Sequence, residues 1–141
     1  MKEEQEHLIL LAHGSRDPCW CATLESGLSV INRQLVEDAS LAYLEMASPS
    51  LESVIIKYYM RGTRHFSVLP LFFAQGRHLL HDVPEKIRKM HDQFDGARIT
   101  LLDAVGQQEN FWNFLASTIA KGANGLPNGN DQDGKCDSAS A

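Results

Sequence analysis

The chain has 141 residues, of which 43% are hydrophobic and 22% are charged, and its formal net charge is −5. This length favours one domain, and the composition is typical of a soluble globular protein. No apolar run approaches the roughly 18 residues of a membrane-spanning helix, and an acidic chain without a basic tract is not typical of nucleic-acid binding. We therefore expect neither a membrane nor a nucleic acid as a partner.

The N-terminal residues and the cysteines favour a cytoplasmic location. Glutamates stand where a secretory signal peptide carries basic residues, and the apolar run that follows them is short. The three cysteines make no disulfide framework, so we expect reduced thiols.

The end of the chain differs in composition from the rest. Residues 122–141 are mainly Gly, Asn, Asp and Ser, and such a segment buries too little apolar surface to offset the entropy lost on ordering. We predict a disordered tail over 122–141 and a single folded lobe over 1–121.

Within that lobe, strand and helix patterns alternate. Continuous apolar runs predict strands over residues 7–12, 40–46, 65–72 and 97–102. Apolar residues at helical spacing follow each run; the last set is Phe111, Phe114, Leu115 and Ile119. The order βαβαβαβα predicts an α/β fold in three layers, with a four-stranded parallel sheet in a flavodoxin-like lobe.

Three of the helix starts carry capping patterns. Asp17 and Pro18 suit an N-cap and the first helical position, and Ser48 and Pro49 repeat this pair. Asp82 opens an Asp-x-x-Glu sequence that resembles a capping box.

Candidate functional residues stand at the ends of the predicted strands. Parallel sheets bind ligands beyond the carboxyl ends of their strands. His13 follows the first strand, Glu45 ends the second, and His78 and His81 follow the third. Imidazole and carboxylate groups bind mid-row divalent metals and accept protons near neutral pH. A single histidine after a strand is more often a packed or loop residue, but the convergence of these residues predicts a joint site. The other histidines fail this criterion and are expected to be structural or solvated: His7, His65 and His91.

The same loops contain groups that suit an anionic ligand. Gly14 and Ser15 lead into a helix N-terminus, whose free amides favour an anion. Arg16 and Arg77 stand beside the candidate histidines and could bind carboxylates in bidentate fashion. Each arginine alone could equally be a solvated loop residue, but together they favour a ligand rich in carboxylates.

Three segments resemble the sirohydrochlorin chelatase family of the CbiX type. Residues 13–18, His-Gly-Ser-Arg-Asp-Pro, resemble its GHGSRDP opening. Residues 43–51 resemble its FLELAxPSL segment, and residues 68–84 resemble VVPLFL followed by GxHxxxDIP. The likeness runs from about residue 7 to residue 106 and corresponds to the short form of the family, with one chelatase lobe per chain.

The resemblance implies a class II chelatase fold and an enzyme that inserts a divalent metal into sirohydrochlorin, a carboxylate-rich tetrapyrrole. His13 and His78 would face the metal, and Glu45 would assist metal handling or proton removal. The substrate would contact Gly14, Ser15, Arg16, Arg77 and His81. The metal, cobalt, iron or nickel, would be a substrate, in cobalamin or siroheme synthesis, and no organic cofactor is implied. His81 replaces a charged residue common in the family, which leaves open which histidines bind the metal.

Two other functions remain open from the sequence. One is a carrier that binds metal or tetrapyrrole without turnover, and the other is a structural or regulatory subunit. The presence of His13, Glu45 and His78 favours the enzyme, because a carrier needs no base. A macrocycle is wide compared with the edge of one lobe, so we also predict a homodimer.

Overall fold

The computed structural model describes residues 5–122 and 125–126, without the side chain of His78. The strands are β1 (Glu6–Ala12), β2 (Ser40–Tyr43), β3 (His65–Pro70) and β4 (Arg98–Leu101). The helices are α1 (Pro18–Asn32), α2 (Leu51–Tyr59), α3 (Val83–Gln93) and α4 (Glu109–Ala120). A π-helical turn, His78–Asp82, precedes α3, and a 3-10 turn, Val105–Gln107, precedes α4. The predicted alternation of strands and helices is confirmed.

The strands form one parallel sheet in the order β2-β1-β3-β4. Ile9 of β1 pairs with Ser40 on one side and Val68 on the other. After β1 the chain adds β2 on one side and then crosses over to place β3 on the other. Sheets with this order bind ligands where the strand order reverses, beyond the carboxyl ends of the strands. A ligand site is therefore expected in the loops after β1 and β3.

The core lies mainly between the sheet and two of the helices. On one face, the sheet residues Ile9, Leu11, Phe66 and Val68 pack with Ile55 of α2 and Met90 of α3, all of them buried. On the other face, α1 packs Leu24 and Leu28 against Leu10 and Leu41, but none of its own residues is fully buried. The three-layer arrangement is confirmed, with the α1 layer more open to solvent. Within the part of the chain described, no helix is long and apolar enough to cross a membrane.

The first helix begins as predicted, whereas the second does not. Asp17 caps α1, accepting a hydrogen bond from the Cys19 N–H at 2.9 Å. The α2 helix begins at Leu51 with Ser50 as its cap, not with Ser48 and Pro49. The reason is a hydrogen bond across the turn: the Pro49 carbonyl accepts from the Tyr43 N–H at 2.9 Å, which keeps Pro49 in the turn beside β2.

Two further local predictions are corrected. The β2 strand ends at Tyr43 instead of residue 46, because the chain turns there and Met46 takes a φ of +59°. The Asp82 capping box does not form, since the π-helical turn runs directly into α3 and Asp82 itself has helical dihedrals without a side-chain cap bond. The predicted tail over 122–141 lies almost entirely outside the described residues and stays a prediction.

Candidate functional site

The loop after β1 lies directly beside the segment after β2. The Leu44 N–H donates to the Ala12 carbonyl at 2.9 Å, and the Glu45 N–H donates to the His13 carbonyl at 3.0 Å. Gly14 is buried with φ +101°, and a Cβ there would lie 1.7 Å from the Glu45 carbonyl oxygen. Only glycine permits this backbone geometry and this approach. The fold therefore holds the backbones of His13 and Glu45 side by side, with both side chains exposed at the sheet edge.

The loop after β3 reaches His13 from the other side. The Leu71 N–H donates to the Leu11 carbonyl at 2.8 Å, which extends the β1–β3 pairing to the sheet edge. The ring of the next residue, Phe72, lies 4.3 Å from the His13 imidazole, measured between centroids, at an interplanar angle of 36°. The His13 imidazole therefore lies against the Phe72 ring on one side, while the residue as a whole remains exposed to solvent.

The backbone of His78 lies in the π-helical turn that follows this loop. The N–H groups of Leu79 and Leu80 both donate to the Gly76 carbonyl at 3.1 Å, and the buried Leu79 side chain packs with Phe72 and Ala104. π-helical turns are rare and are frequent at functional sites. The side chain of His78 is outside the described part of the structure, so its contact with a metal stays a prediction.

The predicted anion-binding groups stand in the loops after β1 and β3. Arg16 and Arg77 are exposed, as is His81. At the start of α1, the Ser15 Oγ accepts from the Asp17 N–H at 3.0 Å, so this amide, like that of Cys19, is already bonded. Substrate binding by Gly14 and Ser15, and by the three exposed residues, stays a prediction.

The described side chains at this edge do not form a closed metal site. Among the described residues, which lack the His78 side chain, no group of three or more His, Cys, Asp or Glu could hold a metal ion. Closed four-ligand sites retain a metal, whereas sites with few protein ligands keep positions open for exchange. Because His13 and Glu45 are exposed to solvent, this edge is suited to binding a metal weakly and releasing it.

One cysteine near this edge is a free thiol. Cys21 is a free thiol whose Sγ lies 3.5 Å from the Ser15 carbonyl oxygen. The expectation of reduced thiols stays a prediction for the other two cysteines.

Sequence reasoning missed the apolar side chains at this edge. Phe73 is 72% exposed, Met46 54% and Leu80 51%. The Phe73 ring lies 5.6 Å from that of Phe111 at the start of α4. Large exposed apolar side chains at such an edge are candidates for a binding surface. For Phe73 the available signal was an apolar residue directly after the predicted strand over 65–72, where a solvated loop is usually polar.

Two described groups have clearly shifted pKa values: His7, at the far end of β1 from His13, and Tyr43, beside the loop that follows β1. His7 is buried at the opposite end of β1, stacks on Tyr58 at 3.5 Å, and its Nε2 lies 2.8 Å from the Ser40 Oγ. Burial is the main cause that lowers its pKa below 6.5. Burial likewise raises the pKa of Tyr43 to about 12, with a smaller contribution from the neighbouring Cys21. His7 thus has the packed, structural role predicted for it.

A cavity of about 390 Å³ lies along the open edge of β2, between α1 and α2. Its walls include Leu28, Leu41, Val54 and Tyr58, with Glu25 and Lys57 beside them. None of its lining residues is a predicted site residue. We place the candidate site at the His13 edge because the exposed residues His13 and Glu45 lie on hydrogen-bonded backbone segments there, where the strand order reverses.

The fold defines a flavodoxin-like lobe, and the loops after β1, β2 and β3 form its candidate ligand site. The family model for CbiX matches residues 7–121, and the chain belongs to the CbiX family. The resemblance inferred from the three sequence segments is therefore confirmed.

Known proteins of this kind match most of the chain. The crystal structure of a CbiX protein from Marinobacter aquaeolei VT8 has a TM-score of 0.75 and 34% identity, over 83% of this chain and 96% of that one. A sirohydrochlorin cobaltochelatase from Sulfolobus acidocaldarius is 25% identical over 116 residues, 81% of this chain and 89% of its own length. A sirohydrochlorin ferrochelatase from Bacillus subtilis (strain 168) is 28% identical over 109 residues, 74% of this chain. The chain covers only 41% of the Bacillus protein.

Proposed function

We propose that this protein inserts a divalent metal, cobalt or iron, into sirohydrochlorin. The observation that carries the proposal is the pair of exposed groups, His13 and Glu45, at the edge where the strand order reverses. Membership of the CbiX family and the names of the Sulfolobus and Bacillus relatives support it.

Metal insertion requires proton removal and metal delivery at one place. The pyrrole nitrogens must lose their protons, and the metal must arrive partly dehydrated. A neutral imidazole can act as a weak ligand or as a base near neutral pH. His13 is our candidate for both roles, Glu45 for assisting proton removal, and His78 for a second metal contact from the facing loop.

In this proposal, Arg16 and Arg77 bind the carboxylates of the substrate. Guanidinium groups bind carboxylates in bidentate fashion. Arg16 and Arg77 stand in the loops after β1 and β3, and both are exposed. With Gly14, Ser15 and His81 they would hold the rim of the macrocycle while its centre lies over His13.

We further propose that two copies of the lobe enclose the substrate. The edge of a single lobe leaves Met46, Phe73 and Leu80 exposed, and a facing lobe would cover them. The Bacillus ferrochelatase extends well beyond the matched segment, which leaves room for a second lobe of this size. Sedimentation equilibrium should give twice the monomer mass of 15.7 kDa. Nickel as a further metal and a cytoplasmic location stay predictions.

A turnover experiment separates the enzyme from the carrier. Anaerobic protein is mixed with cobalt(II) and a large excess of sirohydrochlorin, and metallation is followed by absorbance. An enzyme converts many equivalents of substrate, whereas a carrier stops near one equivalent per site. Conversion that stops there would replace the proposed function with the carrier.

A further inference from the structure

The imidazole of His13 lies against a ring that is itself fixed. Phe72 is only 8% exposed and packs with Leu79 and Ala104, whereas His13 is exposed. The two rings are 4.3 Å apart between centroids. Aromatic rings at this separation attract each other, and a buried ring restricts the rotamers of the exposed ring above it.

The loop after β4 holds the backbone of Phe72. The Gly106 N–H donates to the Phe72 carbonyl at 2.9 Å. A Cβ at Gly106 would lie 1.7 Å from the Phe73 carbonyl oxygen, so the two loops touch backbone to backbone. The Gln107 Oε1 accepts from the Ala104 N–H at 3.1 Å and closes the 3-10 turn that carries Gly106. The position of the Phe72 ring is therefore set by two loops at once.

We propose that Phe72 is a positioning residue, which holds the His13 imidazole in the orientation that metal insertion requires. This inference rests on the proposed function. Phe72 touches neither metal nor substrate in this account and acts only through His13. Reactions that depend on aligned groups lose up to about a hundredfold in rate when a group is displaced by an ångström.

The test compares the same substitution at two buried phenylalanines of the β3 region. Phe72→Leu removes the ring beside His13, whereas Phe66→Leu makes the same change at a residue that is 1% exposed in the core facing α2 and α3. We expect Phe72→Leu to lower the metallation rate per folded molecule at least about tenfold. Phe66→Leu should reduce stability and leave that rate within about twofold, and Phe72→Tyr, which keeps the ring, should retain most of the activity. Equal rates in the two leucine variants would overturn the proposal.

A second readout does not depend on metallation. Phe72 should shift the His13 Hε1 proton resonance by its ring current, and His13→Gln identifies that signal by removing it. We expect Phe72→Leu to move the resonance, and Phe66→Leu to leave it in place. An unmoved resonance in Phe72→Leu refutes positioning even if activity falls. If the wild-type protein does not metallate sirohydrochlorin, the proposed function fails, and this resonance still decides whether the Phe72 ring lies against His13, the contact on which positioning depends.

Discussion

The close approach of Gly14 to Glu45 can be tested by replacing Gly14 with alanine, which adds a single methyl group. Gly14 and Gly62 have nearly the same positive φ, +101° and +104°. A Cβ at Gly14 would lie 1.7 Å from the Glu45 carbonyl oxygen, whereas a Cβ at Gly62 meets nothing within 4 Å. Gly62→Ala therefore measures the cost of the backbone conformation, and Gly14→Ala measures that cost plus the displacement of Glu45.

The expected losses in the free energy of unfolding follow from these two costs, the backbone conformation and the displacement of Glu45. A non-glycine residue in the left-handed region costs about 1–2 kcal/mol. At Gly14 the facing carbonyl must also move by more than an ångström, and forced rearrangement of packed groups adds about 1–3 kcal/mol. We expect Gly62→Ala to lower the free energy of unfolding by about 1–2 kcal/mol and Gly14→Ala by about 2–5 kcal/mol.

Urea unfolding of both variants gives the comparison directly. The slopes with denaturant should stay the same, so that the midpoints report stability alone. Gly14→Ala should also slow metallation, since it separates the backbones of His13 and Glu45, whereas Gly62→Ala should leave the rate unchanged. Equal losses of stability and equal rates would refute the idea that Gly14 is required for this contact.

Three further predictions concern other parts of the chain. Burial lowers the pKa of His7 below 6.5, so the unfolded chain takes up the proton more readily, and stability should decrease as the pH falls through about 6.5. His7→Gln should flatten this decrease in urea titrations between about pH 7 and pH 5, and an unchanged slope would contradict the assignment. Gly106→Ala should lower the free energy of unfolding by about 1–3 kcal/mol, because its Cβ meets the facing backbone. The control, Gly27→Ala, lies in open space on α1 and should raise it by up to about 1 kcal/mol. Equal effects of the two substitutions would argue against the loop contact. Deletion of residues 122–141 should shift Tm by less than about 2 °C in calorimetry, and a large decrease would show that the segment packs.

The order of strands and helices could be predicted because it depends on local patterns. Buried parallel strands need continuous apolar runs, and a helix needs an apolar face. The exact ends could not be predicted, because they depend on backbone hydrogen bonds and turns that the apolar pattern does not show. The Tyr43 bond to the Pro49 carbonyl moves the start of α2 to Leu51, and the π-helical turn before α3 removes the need for a cap at Asp82.

The site could be predicted in part for the same reason. His13 and Glu45 are polar residues at strand ends, and the parallel sheet brings such ends together. The roles of Gly14 and Phe72 could not be seen, since each depends on a contact with a residue far along the chain. Phe72 in particular resembled an ordinary core residue at the end of a strand.

We propose above all that His13, at the edge where the strand order reverses, makes this lobe a chelatase. The most direct measurement is the initial rate of anaerobic metallation of sirohydrochlorin, with cobalt(II), iron(II) and nickel(II) in parallel, for the wild type and His13→Ala. His91→Ala, on the exposed end of α3, is the matched control. We predict a wild-type rate well above the spontaneous rate for cobalt or iron, retained in His91→Ala and reduced at least about a hundredfold in His13→Ala. A wild-type rate equal to the spontaneous one, or full activity in His13→Ala, would contradict this account.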